Sequence, residues 1–131
     1  MNDIIVCNAE HPIFCTIDPQ TDEEKAMVYN MANSMSGKLS DMINKVINLR
    51  AVYVELTDGV NSDTGEAWRA PRCVLLDDNG KTYTATSNGL FRALQKLLAI
   101  YGPGPWDKPL AVEVKQVDTS TGRRIYTLQK V

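Results

Sequence analysis

The sequence predicts a mainly β fold, a five-stranded Greek-key barrel with one α-helix between its third and fourth strands, and three observations carry that expectation. A three-strand meander comes first, residues 87–101 then hold the one convincing long helix, and a two-strand hairpin closes the chain. The helix is the clearest of the three. Ser87 supplies an N-cap oxygen, Leu90, Phe91, Leu94, Leu97, Leu98 and Tyr101 recur on one face, and Gly102-Pro103 ends it. Phe91 and Tyr101 lie on that stripe and are expected in the core.

The other elements follow in order. Residues 1–24 hold two short apolar runs around Glu10-His11-Pro12 and then a Pro/Asp/Glu stretch, which describes an acidic arm or an edge hairpin. Over 25–31 the alternation of Met27, Tyr29 and Met31 against Ala26, Val28 and Asn30 predicts a first strand, although Ala, Met and Lys also suit a helix. Residues 33–37 are a loop and 40–43 a single helical turn. Residues 44–57 form the longest strand. Its apolar phase switches from Ile47 and Leu49 to Val52, Val54 and Leu56, which predicts a bulge near Arg50-Ala51 and puts Tyr53 and Glu55 on the face opposite the core.

Residues 58–65, with two glycines, form a hairpin loop, and the next strand runs over 66–76 with Pro71 at an edge or bulge. Asp77-Asp78-Asn79-Gly80 is a tight turn into a returning strand over 81–85. After the helix, Gly102-Pro103-Gly104-Pro105 is a stiff connector to Trp106, which either plugs the barrel bottom or sits between copies of the chain. The last hairpin pairs 110–117 with 123–130 across an Asp-Thr-Ser-Thr-Gly turn. The domain division is therefore an arm over 1–24 and one barrel domain over 25–131.

The 131 residues suit one domain with a proper core. No apolar run approaches the roughly 20 residues that span a bilayer, and no basic segment precedes an apolar one at the N-terminus. A cytoplasmic protein without a membrane partner is expected. Three cysteines at no framework-like spacing agree with a reducing compartment. The net charge of −2 hides an asymmetry, because residues 1–24 carry six acids and no Lys or Arg. The remaining residues hold all 14 basic side chains against 10 acids, and that basic body is compatible with phosphate binding.

Small Greek-key barrels of this kind commonly bind single-stranded nucleic acid, which requires exposed rings for base stacking and cations for phosphates. The candidate rings are Tyr53, Trp68 and Tyr83, and the candidate cations are Arg50, Arg69, Arg72, Lys81, Arg123 and Arg124. A ring on a strand also serves as a core or cross-strand packing partner. Trp68 leans toward the binding role, since the run Glu66-Ala67-Trp68-Arg69-Ala70-Pro71-Arg72 is too polar for a buried strand centre.

Catalysis finds little support. Cys7, His11, Cys15 and Cys73 would be enough for a tetrahedral metal set, but short Cys-x-x-Cys pairs are missing and Pro12 prevents one helix from presenting the first three. The acids Asp58, Asp63, Glu66, Asp77 and Asp78 sit where turns ordinarily place Asp. No phosphate loop or nucleophile elbow occurs. A non-enzyme without metal or other cofactor is expected.

With these elements placed, the chain resembles the single-stranded-DNA-binding proteins of protein-primed Bacillus phages and related mobile elements of Gram-positive bacteria. The resemblance covers about 25–131. It rests on Lys25, Val28, Tyr29 and Asn30, on Leu39-Ser40-Asp41-Met42-Ile43, on Asp78-Asn79-Gly80-Lys81-Thr82-Tyr83 before Ser87, and on the closing hairpin with Gly122 and Thr127-Leu128. It implies an oligonucleotide-binding (OB) barrel that coats displaced strands during replication or conjugation, and it carries over Tyr83 and Tyr53 as binding rings. Trp68 and the acidic arm do not match the family pattern. The expected partners are single-stranded DNA and proteins of replication or transfer, with self-association left open. A protein-interaction adaptor of the same fold is the alternative.

Overall fold

A computed structural model describes residues 13–33, 37–60, 62–102, 104–118 and 124–131. The first half of the acidic arm with Cys7 and His11, residues 34–36 of the predicted loop, most of the last turn and Arg123 lie outside the described residues. The side chains of Trp68 and Arg124 do so too.

Six strands form one antiparallel sheet: β1 (Ile13–Cys15), β2 (Val46–Val60), β3 (Ala67–Asp77), β4 (Thr82–Thr86), β5 (Leu110–Asp118) and β6 (Arg124–Lys130). The order is β4-β3-β2-β5-β6, with β1 added to β2. Two helices, α1 (Asp22–Ala32) and α2 (Asn88–Tyr101), and a 3-10 turn (Leu39–Met42) accompany them. The mainly β class is as expected. The count of five strands and one α-helix is corrected to six and two, and among the described residues no pairing joins β4 to β6, so the sheet is open rather than a closed barrel.

The predicted bulge is present. Leu49 pairs with Asp77 and Ala51 with Leu76, so the register slips at Arg50. The slip lets Ile47 and Leu49 before it, and Val52 and Val54 after it, face one core, shared with Leu75, Val112, Val114 and the α2 leucines. Ala51 and Tyr53 turn to the other side.

That other side is where the largest correction falls. Residues 25–31 are helical, not a strand. Thr21 caps α1 by accepting from the Glu24 backbone N–H at 3.1 Å, while the Glu24 carboxylate accepts from the Thr21 N–H at 3.1 Å. Such a capping box stabilises a helix start by about 1 kcal/mol, and the Thr21 and Gln20 backbone N–H groups, both donating to the Glu24 carboxylate, hold it below its ordinary value. Met31 is buried with Ile17, Ala51, Tyr53, Val74 and Leu76 in a second core, against which Met27 and Val28 pack. The sequence boundary at 24/25 therefore cuts through a helix, and residues 13–24 contribute a strand and buried side chains to the folded body.

α2 and its Ser87 cap are as predicted, with the Ser87 oxygen accepting from the Leu90 N–H at 3.1 Å. Gly89 explains how closely this helix meets β6: a Cβ there would lie 2.7 Å from the Tyr126 carbonyl oxygen. Trp106 packs half-buried on the main core, with its backbone N–H donating to the Arg50 carbonyl at 3.0 Å.

Met31→Ala is expected to destabilise the protein by about 2 to 5 kcal/mol, the range for emptying a buried Met site. Urea unfolding measures it, and a loss under about 0.5 kcal/mol, as at surface sites, would mean that α1 is not packed on the sheet.

Candidate nucleic-acid interface

The expected binding residues fall into three groups. Tyr53 and Tyr83 are 3 % and 8 % exposed, so the open ring faces expected of both are covered in this structure. The reason differs between them. Tyr53 does point away from the main core, as the bulge predicts, but α1 and Ile17 cover that face. Tyr83 belongs to the main core, opposite Leu75.

Arg72 is likewise a structural residue. Its guanidinium lies 3.2 Å from a Glu55 carboxylate oxygen and donates to the Ala32 carbonyl at 3.1 Å, tying β3 to the end of α1. Glu55 also accepts from the Tyr53 hydroxyl at 3.1 Å, so Tyr53, Glu55 and Arg72 form one clamp.

Arg50, Arg69 and Lys81 are peripheral. Beyond Arg72, β2 and β3 continue as a two-stranded ribbon in which Leu56 pairs with Pro71 and Val60 with Ala67, past the end of β4. Trp68 is on this ribbon opposite Gly59, and the half-exposed Arg69 contacts Asp58 at 2.8 Å. Lys81 is exposed in the turn before β4, a turn closed by Asp77, whose carboxylate accepts from the Asn79 and Lys81 N–H groups at 2.9 and 2.8 Å. Arg50 is exposed at the bulge and lines a groove of about 310 Å³ that also has Asp77 and Asp78 in its wall. Arg124 opens β6. The structure thus brings Trp68 and Arg69 together on one ribbon and Tyr53 with Arg72 in one clamp, while Arg50 sits among acids.

One basic surface is absent from the sequence expectations. Between α2 and β6 runs a groove of about 600 Å³ whose walls include Arg92, Lys96, Lys130 and Tyr101, and no Asp or Glu lines it. Tyr101, expected in the core, is 44 % exposed with the Lys130 ammonium 5.8 Å from its ring centre. The signal was available in the chain: Arg92, Lys96 and Ile100 recur at four-residue spacing, the stripe beside the buried leucines.

A family model described as Phage Single-stranded DNA-binding protein, of the phi29 type, matches residues 8–130. The chain belongs to this family. That bears out the resemblance drawn from the residues. A single-stranded DNA-binding protein of Bacillus phage GA-1 is 28 % identical over 109 residues, covering 78 % of this chain and 63 % of the relative. The match thus spans somewhat less than two thirds of that relative's length. No solved structure matches the chain.

Burial, joined by the charge and hydrogen bond of Glu55, pushes the Tyr53 phenol up to about 12, from an ordinary value of about 10. The folded state therefore favours the neutral phenol. Its contribution to stability is complete below pH about 10 and is lost as pH rises through about 12. Tyr53→Phe is expected to flatten the fall in unfolding free energy across that alkaline window, and equal slopes for both proteins would rule Tyr53 out as the titrating group.

Proposed function

We propose that this protein binds single-stranded DNA without catalysis and with tolerance of sequence, coating and protecting strands during phage or mobile-element replication or transfer. The observation that carries the proposal is the family match over 8–130, which takes in every strand and both helices. The working compartment would be the cytoplasm of the bacterial or infected cell, and no described helix is long and apolar enough to cross a membrane. Proteins of replication or transfer, and further copies of the chain, are the partners such a role brings.

The strand order supports the reading. β2 to β6 run in the order of an oligonucleotide-binding Greek key that is left open between β4 and β6, with β1 and α1 added on the outside of β2. In that fold class the loop between the first two strands and the loop between the last two flank the bound strand. Here these are the connection at the end of the β2–β3 ribbon and the segment that joins β5 to β6. Trp68 and Arg69 on the ribbon, Arg124 at the head of β6, and Lys81 and Arg50 beside β4 make up the proposed DNA-facing set, to which the sequence adds Arg123. Tyr53, Tyr83 and Arg72 support it from within.

Titration with oligo-dT is expected to quench Trp fluorescence, and affinity should fall steeply with salt as bound phosphates release counterions. No binding at low salt, or a salt-independent affinity, contradicts the proposal. Trp68→Ala should weaken binding by about 1 to 3 kcal/mol, the value of one stacked base, with an unchanged melting temperature. Unaltered affinity would remove Trp68 from the site.

A further inference from the structure

We infer that the groove between α2 and β6 is a second track for single-stranded DNA, taking the sugar-phosphate backbone along Arg92, Lys96 and Lys130 and a base beside Tyr101. The inference rests on the single-stranded-DNA reading and adds to it a surface separate from the β2–β3 ribbon.

Charge is the first argument. Three cations line the groove with no Asp or Glu beside them, and among the described residues neither Arg92 nor Lys96 forms an ion pair. The groove at Arg50 lacks this property, because Asp77 and Asp78 share its wall and offset part of the Arg50 charge. A cation tied to a carboxylate must give up that partner to bind phosphate, as Arg69 and Arg72 would; Arg92 and Lys96 are spared that cost, while the Lys130 ammonium, which donates to the Val131 oxygen at 2.7 Å, must share itself with that oxygen.

Shape and chemistry are the second. Arg92 and Lys96 are one helical turn apart, roughly 6 Å along the axis, a step that an extended nucleotide chain can follow from one phosphate to the next. The floor is apolar, with Leu97, Val112 and Leu128, and so suits the flat face of a base. Tyr101 and Lys130 place a ring and a cation at the same point of the groove, the pairing on which single-strand sites are built.

Continuity is the third, and it favours DNA over an acidic protein segment. β6 begins at Arg124, in the set proposed to face DNA, and ends at Lys130 in the groove. Its seven residues span roughly 20 Å. A polyanion with regularly repeated charge that is bound at the head of β6 meets the groove simply by following the strand.

The test compares wild type with Arg92→Ala/Lys96→Ala and, separately, Lys130→Gln, on short and long oligo-dT across a salt series. All three positions are exposed, and equal melting temperatures confirm folding. For the double variant, long oligo-dT affinity should drop about tenfold at low salt, and the slope of log affinity against log salt should become shallower by about 1.4, the value for two lost phosphates. Lys130→Gln should shift both in the same direction by about half as much, and short oligo-dT should bind all three proteins alike. Wild-type affinity and slope in both variants on long oligo-dT overturn the second track while leaving the binding reading intact. Loss of affinity for a labelled oligo-glutamate peptide with DNA binding unchanged also overturns it, in favour of a protein partner. Failure of the wild type to bind any oligo-dT sinks both readings.

Discussion

The whole structure depends on β2 having neither a free edge nor a free face over residues 51–54, all of them at most 3 % exposed. A strand buried on both faces must satisfy every backbone group within the protein. β3 does so along one edge. The other edge changes partner, from β5 up to Leu49 to β1 from Tyr53 onward, which leaves a gap at the bulge. Thr16 fills it: its N–H donates to the Val52 carbonyl at 3.0 Å, and its hydroxyl accepts from the Val52 N–H at 3.0 Å. The buried Thr16 is thus as much a part of the sheet as any strand residue, although it lies in a stretch of sequence that looks like a loose arm.

Much of this architecture was legible because its signals are local. The phase switch around Arg50 can be seen by counting parity, the α2 stripe is unbroken, and Asp77 to Gly80 has turn chemistry. α1 was not, for a physical reason. Its buried stripe is only Met31 with the partly buried Met27, Val28 and Ala32, and most of its other residues face solvent, so helical and strand periodicities score alike. The deciding signal lies before it, in Thr21-x-x-Glu24 with an acidic first turn. Misreading α1 then misplaced Tyr53, since a face without its helix is taken to be open.

The cations show the same limit. Counting Lys and Arg on strands finds residues that the fold engages internally, such as Arg72, whose guanidinium holds a helix end and a carboxylate at once. A strand pairs Arg72 with Glu55 only through register, and register is a three-dimensional fact. The leucine stripe of α2 announces its buried side, whereas the flank with Arg92 and Lys96 carries no apolar period to mark it.

The β2–β3 ribbon has a mechanical consequence. Up to Glu55, β2 is clamped by β1, β3 and two cores, but from Leu56 to Val60 its pairing among the described residues is with β3 alone. The Leu56–Pro71 pair is still anchored, since Pro71 is buried and its carbonyl accepts from the Ser87 N–H at 3.1 Å. Beyond it no described residue of the ribbon belongs to either core, so the hydrogen bonds there open by local fluctuation before the domain unfolds. One continuous strand is therefore stiff at its middle and compliant at its tip. The Arg69–Asp58 pair sits on the compliant part, where fixed charges discourage its edges from templating a second chain.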